Sequence, residues 1–402
     1  MTTLPAGGGL PRARRAIWAL FVVAFLSNVT IGARTLIIPL YGSDLGLSAA
    51  SIGLLYAVFA GVSALIAFPA GAMLDRSGSR RVMAAALMLV AVAQVLTMTR
   101  SIPVLAVSQA LSGTAWTVSQ LSIVTASISA SQPRQIGRAI GLTALGGQTG
   151  LMAGPAIAGT LLQMIGFTNL ILLSALPGLV ALGIALVTVR DLEQRSGAGH
   201  EPPPTRDLLK NPAIRQIAVL AVAMGIVWGT FQAYFAIFAS RGLHMPAVAI
   251  GWLITIAALA NASSRVPAGR LLTRFSRKHE IVAVSVFGFA AGLALLPHMQ
   301  GFWPSALLLA VSVPLVSLSI MGMSVALAEL GGTRGRGRAL SIMYLVWNLA
   351  SALAPAALAP VMNNNFTVGF AAASLTAAAT AGIAMLMRRR ETRRSSATIG
   401  GL

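Results

Sequence analysis

Arg34 is the side chain whose type and position could do chemistry. It stands within a long apolar run and is followed by Leu36, Ile37 and Ile38. An ionisable group inside a membrane-length segment is costly and marks a functional position. A guanidinium stays charged and presents a planar fork of donors, so it can hold an anion or carboxylate but cannot carry a proton. Asp44, further along the same run, could pair with it as a gate. Arg34 lies about 24 Å along a helix from Trp18, so snorkelling to the far headgroups is the competing reading. The acids Asp44, Asp75, Asp191, Glu193, Glu201, Asp207, Glu280, Glu329 and Glu391 all fall in expected loops, tails or helix ends, and His244 and His298 read as loop residues. Cysteine is absent, which excludes disulfides, thiol catalysis and thiolate metal sites. No phosphate-binding glycine loop, metal-ligand pair or nucleophile–base set occurs, so no cofactor, no metal and no enzyme chemistry is expected.

The elements that must position Arg34 are membrane helices. Of 402 residues, 56% are hydrophobic and only 9% charged, and the mean hydropathy is +0.81. Soluble domains carry about a quarter charged residues. The apolar runs are long enough for a bilayer, which takes about 20 residues per helix. Lys and Arg number 29 against 9 acids, a net charge of +20. These basic residues fall in short patches between apolar runs rather than in one basic domain, which argues for anionic lipid and against nucleic acid. Arg12, Arg14 and Arg15 precede the first run, which is too long for a signal peptide and reads as the first span.

Twelve spans are expected, at about 17–40, 50–70, 82–99, 103–126, 138–162, 168–189, 213–239, 247–268, 281–297, 303–328, 339–361 and 367–387. The stretch 191–212, with Gly197, Gly199 and Pro202-Pro203-Pro204, reads as a flexible connector. It separates an N-terminal bundle, 1–190, from a C-terminal bundle with a basic tail, 213–402. All Lys and Arg except Arg34, Arg100, Arg241 and Arg265 lie in the termini, the connector and the loops after spans two, four, eight and ten. Both termini are therefore expected in the cytoplasm.

An internal repeat supports the division. Pro69-Ala-Gly-Ala-Met-Leu-Asp-Arg-Ser-Gly-Ser-Arg-Arg81 returns, degenerate, as Pro267-Ala-Gly-Arg-Leu-Leu-Thr-Arg-Phe-Ser-Arg-Lys278. Ile52-Gly53 returns as Ile250-Gly251, Gly137-Arg138-Ala139 as Gly337-Arg338-Ala339, and Pro155 as Pro355. In the first copy, Gly71 is expected to let two helices approach and Gly78 to permit a tight turn. Asp75 is expected to pair with an arginine or a helix N-terminus.

Gly71, Asp75, Arg76, Gly78, Arg80 and Arg81 resemble the loop signature Gly-x-Leu-x-Asp-Arg-x-Gly-Arg-Arg of the major facilitator superfamily. Met73 and Ser79 depart from it, and Thr273 and Ser276 weaken the second copy. The resemblance covers nearly the whole chain and implies an all-α membrane protein, with twelve transmembrane helices in two six-helix pseudo-symmetric bundles. Gly150, Gly154, Pro155 and Gly159 look like the superfamily's antiporter motif, with Ala158 in place of one glycine, which implies export. Small residues four apart permit close packing, and the proline permits a kink. The fourth span should carry Arg-x-x-x-Gly. Gly113 is present, but Gln109 stands in place of the arginine, which puts the usual proton relay in doubt.

In that fold the first, fourth, seventh and tenth spans line a central cavity. Gln109, Ser112, Trp116 and Gln120 share one helical face and form a candidate substrate wall. Asn28, Arg34, Trp228, Gln232, Phe235, Tyr344 and Asn348 are further candidates, because aromatic area with sparse amides suits an amphipathic organic solute. For each, packing within its own bundle is the competing reading. The resemblance thus implies a monomeric secondary transporter of the plasma (bacterial inner) membrane that exports a small-molecule substrate, with membrane lipids and protons as further partners. Alternatives are an organic-anion uptake or exchange carrier, favoured by Arg34, and a transport-inactive membrane sensor. Asp44 is the best remaining acid for proton coupling.

Overall fold

The computed structural model describes residues 9–131, 135–188, 210–274, 277–330 and 332–399. Every extended regular element among them is helical: α1 (Gly9–Asp44), α2 (Ala49–Ser77), α3 (Ser79–Thr97), α4 (Ile102–Ser129), α5 (Ile136–Leu173), α6 (Leu176–Thr188), α7 (Pro212–Arg241), α8 (Ala247–Ser263), α9 (Arg265–Arg274), α10 (Lys278–Leu295), α11 (Phe302–Ser312), α12 (Pro314–Leu330), α13 (Gly332–Asn364) and α14 (Phe366–Ile399). Ten described stretches are long and apolar enough to cross a membrane. One of them, Arg138–Thr188, contains both the fifth and sixth expected spans. The serine-rich α4 is 28 residues long, so the described helices are consistent with twelve crossings. Most of the expected connector, 191–209, lies outside the described residues.

Three breaks have local causes. Gly166, at φ 73° and ψ 174°, turns the chain between the fifth and sixth spans, in a region of backbone space that favours glycine. The sixth span breaks again at Ser174–Ala175, because Pro177 has no N–H to continue the ladder and restrains the residue before it. Pro314 divides the tenth span between α11 and α12 in the same way. The signature stretch Pro69–Arg81 was expected to interrupt two spans, yet it is helical except at Gly78. Gly78, at φ 76°, makes the tight turn expected of it and begins α3.

The chain packs as two compact units, Met1–Tyr41 with Leu65–Gly197 and Ala247–Thr255, and Gly42–Ala64 with Ala198–Pro246 and Ile256–Leu402. In the first unit Leu20, Val23 and Ala24 of α1 meet Met83 and Leu87 of α3, Ile123 of α4, and Ala181 and Ala185 of α6. Hydrocarbon tails are as apolar as these side chains, so close packing rather than water exclusion must hold the helices together. The α1–α5 seam shows how. A Cβ at Gly154 would fall 2.5 Å from the Val29 carbonyl oxygen, one at Gly146 would fall 2.5 Å from that of Phe21, and Gly150 faces that of Phe25. In return, a Cβ at Gly32 would fall 2.5 Å from the Leu151 carbonyl oxygen. The second unit builds the equivalent seam from α7 and α13, where Gly229 lies against the Ser351 carbonyl and the Ser351 hydroxyl donates to the Gly225 carbonyl at 3.1 Å.

Gly71 differs from these seam glycines: among the described residues, a Cβ there would meet nothing within 4 Å. Gly71→Ala should therefore leave thermal unfolding of the detergent-solubilised protein unchanged. Gly154→Ala should destabilise it by about 1–3 kcal/mol through overpacking. Equal melting temperatures for the two variants would show that the α1–α5 seam is not tightly packed.

Candidate functional site

Arg34 is 5% exposed, and its guanidinium turns into the first unit rather than toward a helix end. One terminal nitrogen donates to Gln94 Oε1 and to Thr97 Oγ1 at 3.0 Å, both on α3. The other donates to Ser108 Oγ at 3.2 Å and Gln109 Oε1 at 2.5 Å, both on α4. The Thr97 and Ser108 hydroxyls lie 2.8 Å from the Ala93 carbonyl and 2.7 Å from each other, so their protons have partners among these groups and each oxygen keeps a lone pair for Arg34. All four terminal N–H groups are thus taken by neutral acceptors. Among the described residues Arg34 has no carboxylate partner, and Asp44 is exposed at the end of α1. Snorkelling and an Arg34–Asp44 pair are therefore both replaced by an interior clamp. Gln109, the amide in the expected arginine's place, is one of its jaws.

The clamp reaches the broken sixth span. Gln94 Nε2 donates to Ser174 Oγ, and Thr30 Oγ1 donates to the Ser174 carbonyl at 2.9 Å. Ser174 sits at the break, so the interruption in α5–α6 is tied to both α1 and α3. Sequence reasoning missed Gln94, Thr97, Ser108 and Ser174. The available signal was Gln94, the one amide in the 82–99 span.

The remaining cavity candidates fall into separate groups. Asn28 accepts from Gln120 Nε2 at 3.1 Å and donates to the Ala24 carbonyl at 2.8 Å. On the Gln109–Gln120 face, Trp116 is part-buried, and the buried Ser112 hydroxyl has no hydrogen-bond partner. In the second unit Trp228 packs on Phe231 and Phe289, with ring centroids 5.8 and 6.2 Å apart, and Phe235 stacks on Phe231. Gln232 is part-exposed beside this cluster. Tyr344 is half-exposed, and Asn348 Nδ2 donates to its carbonyl at 2.8 Å.

In the signature stretch Arg80 donates to the Leu186 carbonyl at 2.5 Å, placing a cation at the C-terminal end of α6, where the helix dipole favours it. Arg76 and Arg81 are exposed, and the Asp75 side chain lies outside the described residues. In the antiporter-like helix a Cβ at Gly159 would fall 2.5 Å from the Ala247 carbonyl oxygen, and the Pro155 carbonyl faces Gly251 of α8. In the second unit Tyr234, fully buried, donates to the Pro355 carbonyl at 2.7 Å and packs on Gly53. Arg241 donates to Ser43 Oγ and the Leu47 carbonyl at 2.8 Å each, satisfying acceptors in the last turn of α1 and just past it.

The described spans and the repeated small-residue seam define a polytopic membrane fold. The profile of the Major Facilitator Superfamily matches residues 20–248 and 217–401, and the chain belongs to that superfamily of transporters. Among solved structures it is similar to the nucleoside transporter NupG, at 12% identity and a TM-score of 0.78, covering 92% of this chain and 98% of that one. It is also similar to a bacterial homolog of the human lysosomal transporter Spinster in an inward-facing, unoccupied conformation, at 15% identity and a TM-score of 0.71, covering 94% and 97%. At these identities the likeness is one of fold. No curated protein matches the chain by sequence.

A Lys at position 34 radiates three donors from one atom and cannot span acceptors on two helices as a planar fork does. Arg34→Lys should therefore lower the melting temperature and cut transport about tenfold or more, equivalent to a loss of about 1.4 kcal/mol or more. Thr97→Val should cost no more than about 1–1.5 kcal/mol, because three acceptors remain. Transport and stability of the two purified variants check this, and a fully active Arg34→Lys would show that the fork is not used.

Proposed function

We propose that the chain is a secondary exporter of a small organic solute, a drug-like compound or metabolite, working by alternating access as a monomer. Its membrane is the plasma (bacterial inner) membrane, with both termini in the cytoplasm, and its two halves are 1–190 and 213–402, joined by the connector 191–212. Export is what the resemblance of Gly150, Gly154, Pro155 and Gly159 to the antiporter motif implies, and the observation that supports alternating access is how that helix packs. Gly150 and Gly154 lie against α1 while Pro155 and Gly159 lie against α8. One helix thus meets two others at glycine-to-backbone contacts, and the Thr255 hydroxyl of α8 adds a bond to the Met152 carbonyl at 2.8 Å. Glycine contacts of this kind allow sliding without side-chain interdigitation, which suits a rocking bundle.

The solute class follows from the face bearing Gln109, Ser112, Trp116 and Gln120, with Asn28 beside it. An indole and a few amides offer apolar area with sparse polar fixing, and the Ser112 hydroxyl, buried and unpaired, can take up a polar group of the solute. Trp228, Gln232, Tyr344 and Asn348 supply similar groups in the second unit. The organic-anion alternative rested on Arg34, whose four terminal N–H groups are all engaged in this conformation. Asp75, with Arg76, Arg80 and Arg81, is assigned to the cytoplasmic gate, and Asp44 to proton coupling.

Solute counterflow in proteoliposomes tests transport itself, since a sensor shows none. Under an imposed pH gradient, Asp44→Asn should abolish gradient-driven accumulation while counterflow persists. Drive that survives in Asp44→Asn excludes that acid. Asp75→Asn should slow both modes, and an unimpaired Asp75→Asn removes the gate assignment.

A further inference from the structure

The first unit contains a groove of about 460 Å³ between α1, α5 and α6. Its floor is formed by Val29, Ala33, Gly154, Ala158 and Leu170, all buried. Its rim is formed by Ile157, Leu173, Leu176 and Val180, all exposed to whatever surrounds the helices.

The groove has a local cause. Beyond the break at Ser174–Ala175, Gly178 packs close to Val90 of α3, and Ala181 and Ala185 join the core formed by α1, α3 and α4. Helix α6 therefore leans toward α3. On the side it leaves, α5 forms the floor with Gly154 and Ala158, which are too small to fill the space between Ile157 and Leu161.

The occupant can be argued from chemistry and length. The lining is almost wholly apolar, and its polar groups are already engaged: the Thr30 hydroxyl donates to the Ser174 carbonyl at 2.9 Å, and the Ser174 hydroxyl donates to the Ile171 carbonyl at 2.7 Å. Water or a polar solute would find no partner there. These helices cross a bilayer, so the rim meets hydrocarbon. From Leu170 to Val180 the groove follows the helices for about 15 Å, half of the roughly 30 Å hydrocarbon core and so the depth of one leaflet. An empty apolar groove forfeits dispersion contacts along its walls, and a flexible alkyl chain restores them.

We propose that this groove is a binding site for one acyl chain of a membrane lipid, drawn from the leaflet on the Gly166 side and lying parallel to α1 and α5. Since lipid tails are as apolar as the groove, fit rather than water exclusion supplies the affinity. The seated chain packs beside Ser174 and so steadies the break that Gln94 ties to Arg34. This proposal rests on the membrane-spanning fold and not on the export reading.

The test uses the full-length protein in phosphatidylethanolamine–phosphatidylglycerol vesicles containing a lipid with a photoreactive group in its acyl chain, with labelled peptides mapped by mass spectrometry. Labelling at Leu161, Leu170 and Leu173 should saturate as the reactive lipid is raised, whereas labelling at Leu307 and Val311, exposed on α11, should rise linearly. Ala158→Leu, which fills the floor, should lower groove labelling about tenfold, one decade of affinity, and leave α11 unchanged. Ile157→Trp, which narrows the mouth at an exposed position, provides the same comparison if Ala158→Leu fails to fold. Linear labelling in the groove, labelling indifferent to the variant that folds, or a groove left unlabelled because a second protein copy covers it would overturn the proposal.

Discussion

A guanidinium can rest inside a membrane bundle only where protein replaces its hydration. Placing an arginine at the centre of a spanning helix costs about 2.5–3.5 kcal/mol on insertion scales. Arg34 offsets that cost with four hydrogen bonds to two amides and two hydroxyls on α3 and α4. Each acceptor is neutral, so the charge is solvated without being cancelled. Through Gln94 and Ser174 the same network holds the broken sixth span. Three helices and one interruption thus share a single anchoring charge.

Around that anchor the helices approach through backbone. The seam between α1 and α5 and the seam between α7 and α13 place a glycine against a carbonyl at equivalent positions, Leu151 in one and Ser351, 200 residues later, in the other. The repeat that first appeared as matching loop residues is thus also a repeat of helix contact. The glycines are distributed differently. The first seam draws them from both helices, with Gly146, Gly150 and Gly154 on α5 and Gly32 on α1, whereas Gly225 and Gly229 of the second lie on α7.

Features that depend on local chain chemistry were legible in the sequence. The apolar runs, the turn at Gly78 and the close packing of Gly150 and Gly154 follow from length, backbone freedom and side-chain size. Features set by neighbours distant in sequence were not. Nothing local distinguishes Gly71, where a Cβ would meet no described residue within 4 Å, from Gly154, which touches α1. Arg34 was recognisable as costly, but its acceptors lie 60 to 75 residues away, and no spacing rule joins them. The helical course of the signature stretch was hidden because glycine and clustered charge read as a loop, although only Gly78 leaves helical geometry.

If the first unit needs a guanidinium between α1 and α4, the helix that carries it should matter less than its presence. The most direct measurement is transport by the exchanged pair, Arg34→Gln with Gln109→Arg, beside the two single variants in the same vesicles. The clamp account predicts that each single variant loses transport, one lacking the charge and the other burying two, and that the exchange recovers a large part of it. An exchanged protein that folds and inserts normally yet transports no better than Arg34→Gln would contradict the account.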